Sequence, residues 1–211
     1  MIDRSTIVPF IIASAVLVLI PGPAVMYIVS TGIGRGRRAA LASVLGIETG
    51  ALFHVFAAAI GVSAIVASSA MAFSVLKYGG AAYLIYLGVK TLRSSDSPLR
   101  AAAEAEVSVR RSYARGVLVN ALNPKIALFF LAFIPQFVRQ ERGAVALQFL
   151  SLGAVFIAVA FLLDSCYAFA SGAIGGWVAR SPRFARVQRR FAGVAYIALG
   201  ASAALTGQGN K

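Results

Sequence analysis

The sequence predicts an all-α membrane protein in which six transmembrane helices form two inverted repeats of three helices each. Three observations lead to this prediction. Of the 211 residues, 59% are hydrophobic and only 13% are charged, with a mean hydropathy of +0.82. Soluble domains carry about 25% charged residues. The apolar residues form long blocks, most of the basic residues lie between those blocks, and related motifs recur in the two halves.

The apolar blocks define a single transmembrane domain. They cover residues 7–29, 39–67, 73–92, 116–138, 144–170 and 191–205. A length of about 20 apolar residues crosses a bilayer as a helix, and backbone polar groups in lipid must be paired within the segment, so each block is expected to be helical. Repeat one covers about residues 1–93 and repeat two about residues 116–211, with residues 94–115 as a cytoplasmic linker.

The orientation follows from the basic residues. The loops after blocks one, three and five carry 14 Lys and Arg residues, and the opposite side carries 5. Cytoplasmic loops are enriched in Lys and Arg, so this bias predicts a bacterial inner-membrane protein with both termini in the periplasm. The formal charge of +13 is therefore assigned to membrane topology, and nucleic acid is not expected as a partner.

Two pairs of motifs indicate the repeats. The string "GAAYL" at residues 80–84 matches "GVAYI" at residues 193–197, and "IPGPAVMYI" in block one corresponds to "LNPKIALFF" in block four. Because each half has an odd number of helices, the second half enters the membrane from the opposite side. Inverted repeats of this kind are common among secondary transporters.

Two blocks contain residues that interrupt a helix. Block one holds Pro21, Gly22 and Pro23. Block four holds its own set, which consists of Asn120, Asn123, Pro124 and Lys125. Proline removes a backbone donor and clashes with the preceding turn, and lipid supplies no water to the freed carbonyls. Two broken helices at corresponding positions predict a polar, substrate-binding cavity between the halves.

Lys125 is the most informative residue of this set. A charge at the bilayer centre costs about 2.5–3.5 kcal/mol on insertion scales, so we expect Lys125 to face the bundle interior and to pair with an anion. The candidates are Glu48 and Asp164, the acidic residues deep in apolar blocks. One interpretation is a buried ion pair that locks helices together. The other is a transport site, in which Lys125 attracts a substrate carboxylate and an acid carries a proton or meets a substrate ammonium group.

Other classes of function fit the sequence less well. Cys166 is the single cysteine and His54 the single histidine, so a disulfide and a Cys-pair redox centre are excluded, and His54 is expected to be a hydrogen-bonded packing residue. A divalent-metal transporter would need clustered carboxylate, His or Cys ligands. A membrane serine hydrolase would need a Ser–His pair, and no G-x-S-x-G motif is present. We therefore expect no enzymatic activity, no cofactor and no bound metal.

The motifs together resemble the LysE/RhtB family of bacterial amino-acid exporters. They are "PGP" at residues 21–23, "GIETG" at 46–50, "KYGGAAYLIYLG" at 77–88 and "NALNPK" at 120–125. The resemblance covers nearly the whole chain. It implies a six-helix inner-membrane protein that exports amino acids in exchange for protons. We favour neutral substrates similar to homoserine, threonine or leucine, with basic amino acids as the alternative, and leave open whether the chain forms a homo-oligomer.

Overall fold

The computed structural model describes residues 4–62, 70–93, 108–139, 141, 144–180 and 182–205. Every regular element within these ranges is helical. Most of the predicted linker, residues 94–107, lies outside the described residues. All six predicted apolar blocks contain helix, in agreement with the all-α class.

Seven α-helices make up the described part of the chain. They are α1 (Arg4–Leu19), α2 (Pro23–Ala57), α3 (Ala70–Arg93), α4 (Val109–Ala121), α5 (Pro124–Leu128), α6 (Val145–Arg180) and α7 (Pro182–Leu205). The π-helical segment Ala58–Val62 continues α2, and the π and 3₁₀ segments Phe129–Phe133 and Ile134–Phe137 continue α5.

Helix α2 turns back on itself at Gly36. Gly36 has φ 80 and ψ 176, a conformation that favours glycine. Ala24 and Ile28, before the turn, belong to the same buried cluster as Val44 and Ile47, which follow it. Residues this far apart along a straight helix would not meet, so the two arms of α2 form a hairpin. The reversal falls in the basic segment that the sequence predicts to separate blocks one and two.

The break predicted inside block one is confirmed, because α1 ends at Leu19 and α2 begins at Pro23. A boundary in block four differs from the prediction. Helix α4 begins at Val109 rather than at residue 116, because the Ser108 side chain caps it by accepting a hydrogen bond from the Arg111 N–H at 3.4 Å. The last residues of the predicted linker are therefore helical.

Two described helical stretches pass a test of length and composition for crossing a membrane, Val145–Ser171 and Pro23–Gly61, and the latter contains the turn at Gly36. The bent pair Val109–Ala121 and Pro124–Phe137, with a 44° bend, adds a third if it counts as one span. The described parts of α1 and α7 give shorter apolar helices, Thr6–Leu19 and Gly193–Leu205. A helical membrane protein is thus supported, and the count of six spans stays a prediction.

Close glycine contacts hold α2 against α4. A Cβ atom on Gly50 would lie 2.6 Å from the Val117 carbonyl oxygen, and one on Gly116 would lie 2.6 Å from the Ser43 carbonyl oxygen. Close approach of this kind is typical of small residues at membrane helix interfaces. A Gly46 Cβ would meet the Tyr113 carbonyl, so the second arm of α2 and α4 run in the same direction. This contact fixes the position of Glu48 relative to Asn120.

An aromatic cluster closes the bundle beside the site. Phe129 and Phe133 are stacked with ring centroids 5.0 Å apart, and Phe156 and Phe10 contact Phe129 at 5.3 and 6.1 Å. All four rings are buried. The apolar residues that follow Lys125 therefore pack in the protein core, where they anchor the broken helix. Their phenylalanine rings face the bundle interior and not the lipid.

Candidate functional site

The first helix break lies at Pro21, Gly22 and Pro23. Gly22 is the N-cap of α2 and has an extended backbone, with φ −118 and ψ −167. In a helix each N–H bonds the carbonyl four residues earlier. Residues 21 and 23 are prolines without an N–H, so the carbonyls of Leu17 and Leu19 lose the donor four residues later. Leu17 still accepts from the Ile20 N–H at 3.2 Å.

Lys125 fills part of this gap. Its Nζ donates hydrogen bonds to the carbonyl oxygens of Leu17 at 3.1 Å and Ile20 at 2.8 Å, and its side chain is 3% exposed. A Cβ on Gly22 would lie 3.2 Å from this Nζ. The Lys125 ammonium group therefore donates hydrogen bonds to backbone carbonyls at the helix break in the other half of the chain.

Tyr167 on α6 provides a further hydrogen-bond donor at the first helix break. Its hydroxyl donates to the Leu19 carbonyl oxygen at 3.1 Å. Sequence reasoning did not include Tyr167 among the site residues. The available signal was the proline at residue 23, which shows that the Leu19 carbonyl needs a donor from elsewhere.

The second break lies between α4 and α5. Pro124 is the first residue of α5, and the Asn123 side chain caps that helix by accepting from the Lys125 N–H at 3.1 Å. Asn123 Nδ2 donates to Asn120 Oδ1 at 3.3 Å, and Asn120 Nδ2 donates to the Ile47 carbonyl oxygen at 2.7 Å. The two asparagines are almost fully buried. They tie the broken helix to the residue before Glu48.

His54 also serves the second break. Its Nε2 lies 2.8 Å from the Asn120 carbonyl oxygen. Pro124 cannot donate to this carbonyl, which also accepts from the Asn123 N–H at 3.0 Å. Because a carbonyl only accepts, Nε2 carries the proton in this contact. The ring of His54 stacks on Phe130 with centroids 6.3 Å apart. His54 thus has the hydrogen-bonded packing role that the sequence favours.

Glu48 and Asp164 face each other in the interior. They are 7% and 3% exposed, and their carboxyl groups lie close enough to interact electrostatically. Glu48 Oε1 and Oε2 and Asp164 Oδ1 are buried without a donor from any other described residue. A carboxylate only accepts hydrogen bonds, so a bond between the two groups requires a proton on one of them.

The expected ion pair of Lys125 is not formed. Asp164 lies close enough to Lys125 for an electrostatic interaction, but the hydrogen bonds of Nζ within the described residues go to carbonyls. The ammonium group instead lies against the Leu17 and Ile20 carbonyls at the end of α1, which accept its hydrogen bonds. The structure nevertheless brings both breaks, Lys125 and both acids into one region.

Buried polar groups and interrupted helices inside an apolar helical bundle define a membrane protein of the transporter class. Residues 15–207 match the family described as LysE type translocator, and the chain belongs to that family. The resemblance seen in the motifs is thereby confirmed, as is the expectation of a transporter rather than an enzyme.

Curated relatives align along nearly their whole length. The homoserine/homoserine lactone efflux protein of Salmonella typhimurium is 32% identical, with 91% of this chain and 92% of the relative covered. The leucine efflux protein of Salmonella choleraesuis is 26% identical, with 91% of each chain covered. A Bacillus subtilis membrane protein, YrhP, is 30% identical, covering 95% of this chain and 99% of the relative. No solved structure matches the chain.

Proposed function

We propose that this protein exports neutral amino acids from the cytoplasm in exchange for protons, and that Glu48 and Asp164 carry the exchanged proton. The observation behind the proposal is the buried carboxyl pair without a donor among the other described residues. Two carboxyl groups in contact titrate as a unit and can share one proton. A proton or a substrate ammonium group satisfies the same acceptors, but both cannot occupy the space between them, so the two cargoes exclude each other.

Lys125 provides the other half of the recognition. An amino acid carries a carboxylate as well as an ammonium group, and Lys125 is a buried cation close enough to Asp164 for an electrostatic interaction. Lys125 would repel the second positive charge of a basic amino acid in this poorly solvated interior. The names of the relatives agree with this preference, because homoserine and leucine are neutral amino acids.

The packing supports the proposed orientation. The second arm of α2 and α4 run in parallel, so the basic groups at their starts, Arg37, Arg38, Arg110 and Arg111, lie at the same end of the bundle. We assign this end to the cytoplasm by the positive-inside rule. The six-span, two-repeat arrangement is supported by the meeting of the two breaks, because Lys125 of one reaches Leu17 and Ile20 at the other.

The test uses the purified protein in liposomes with an imposed proton gradient. Flux of each amino acid and the internal pH are followed together. We expect neutral amino acids to move against protons, and Glu48→Gln and Asp164→Asn to reduce both fluxes to the level of protein-free liposomes. Glu141→Gln, at an exposed acid outside the site, is the matched control and should transport normally.

Each outcome has a separate meaning. Flux that ignores the proton gradient would disprove the coupling, and flux of basic amino acids alone would replace the proposed substrate class. If no amino acid moves through the unmodified protein, the export proposal itself is wrong.

A further inference from the structure

Three carbonyl groups at the helix breaks share one covalent cause. Each lies four residues before a proline, as the pairs Leu17 and Pro21, Leu19 and Pro23, and Asn120 and Pro124 show. Proline has no N–H, so each carbonyl lacks the usual helical donor four residues later. Leu17 and Asn120 still accept from the N–H groups of Ile20 at 3.2 Å and Asn123 at 3.0 Å, whereas the described backbone supplies Leu19 with no donor. In a membrane interior, water does not supply it either.

Each of these carbonyls receives a donor from a helix distant in sequence. Lys125 Nζ serves Leu17, Tyr167 Oη serves Leu19 and His54 Nε2 serves Asn120. The sequence separations are 108, 148 and 66 residues. Among the three, the Leu19 carbonyl depends on its side-chain donor, because the other two carbonyls also accept a backbone N–H.

The donors also connect the breaks to the carboxyl pair. Tyr167 lies three residues after Asp164 on α6, and positions three apart share a helix face. Its hydroxyl therefore ties the end of α1 to the helix that carries Asp164. His54 does the same at the second break, because it lies on α2, the helix that carries Glu48. Movement of a break is thus linked to movement of a carboxyl group.

Building on the export function proposed above, we propose that Tyr167 is a positioning residue for transport. It supplies the donor that Pro23 removes, and it thereby holds the broken end of α1 at the correct place beside Asp164. Tyr167 acts through the Leu19 carbonyl and through α6, and it touches neither cargo. This role separates it from Lys125, Glu48 and Asp164, which we place in the binding site itself.

Tyr27 offers a matched control. Its hydroxyl also donates to a helix carbonyl, that of Ser112, at 3.0 Å. The residue four positions after Ser112 is Gly116, which has an N–H, so this carbonyl does not depend on the tyrosine. Tyr27→Phe and Tyr167→Phe therefore remove the same kind of bond, and only the second removal leaves a carbonyl without its main donor.

The experiment compares the two variants in detergent and in liposomes. We expect Tyr167→Phe to lower Tm by a few degrees and kcat of export several-fold while KM stays unchanged, and Tyr27→Phe to resemble the unmodified protein. The Tm loss should be much smaller in a Pro23→Ala background, because an alanine at this position brings back an N–H for the Leu19 carbonyl.

Equal behaviour of Tyr167→Phe and Tyr27→Phe would overturn the proposal, and so would a Tm loss that is the same with and without Pro23. A parallel loss of substrate affinity and turnover would show a general structural defect and would also contradict it. If the unmodified protein exports no amino acid, the proposed function fails, whereas the Tm comparison still decides whether Tyr167 caps the break.

Discussion

Substitution of Gly50 by alanine is a sensitive test of the packing that positions the site. A Cβ at this position would lie 2.6 Å from the Val117 carbonyl oxygen and 2.9 Å from Asn120 Cβ, whereas ordinary contact begins at 3.4 Å. Both neighbours belong to α4, and the nearer is backbone, so a rotamer change does not relieve the overlap. The two helices must separate by about 0.8 Å to restore normal contact.

This separation has a direct effect on the site. If α2 and α4 move apart as rigid bodies, the bond from Asn120 Nδ2 to the Ile47 carbonyl lengthens from 2.7 Å to about 3.5 Å, which is close to the limit for a hydrogen bond. Overpacking typically costs about 1–3 kcal/mol, and the weakened bond adds about 1 kcal/mol. We therefore expect Gly50→Ala to lose both stability and export.

Gly79→Ala is the control for helix propensity. Gly79 lies in α3 and nothing lies within 4 Å of its Cβ position, so alanine should be neutral there or stabilise by up to about 1 kcal/mol. Thermal unfolding in detergent measures both variants, and each kcal/mol corresponds to a Tm shift of about 2–4 °C at this chain length. If Gly50→Ala unfolds at the same temperature as Gly79→Ala, the close contact between α2 and α4 is not what holds Asn120 in place.

The sequence was sufficient to predict the breaks and the buried charges. A proline inside an apolar block shows where a helix lacks a backbone N–H donor. A lysine or acidic residue inside such a block is expected to face the interior of the bundle. These local rules led to Pro23, Pro124, Lys125, Glu48 and Asp164, which the structure brings into one region.

The partners of these groups could not be predicted. The prediction of an ion pair for Lys125 took only side-chain charges into account. The acceptors of its ammonium group are instead backbone carbonyls at the first helix break. Sequence shows that the Leu19 carbonyl needs a donor, but helix rotation and packing decide that the donor is Tyr167. The early start of α4 was missed because its first turn is rich in arginine and falls outside the apolar block.

Two remaining predictions separate the roles of the donors. Lys125→Met should abolish export in liposomes with little change in Tm, because the Ile20 carbonyl left without this donor costs about 1–3 kcal/mol, while removal of a buried charge recovers about 2.5–3.5 kcal/mol. A large drop in Tm would show that the lysine is mainly structural. His54→Phe keeps the ring that stacks on Phe130 but removes the side-chain donor to the Asn120 carbonyl. The Asn123 N–H still donates to this carbonyl, so unfolding should become easier by about 1 kcal/mol. His54→Gln retains an N–H donor and should recover part of this loss, since the carbonyl needs a donor and not an imidazole. Equal Tm values for the phenylalanine variant and the unmodified protein would mean that the second break is capped without His54.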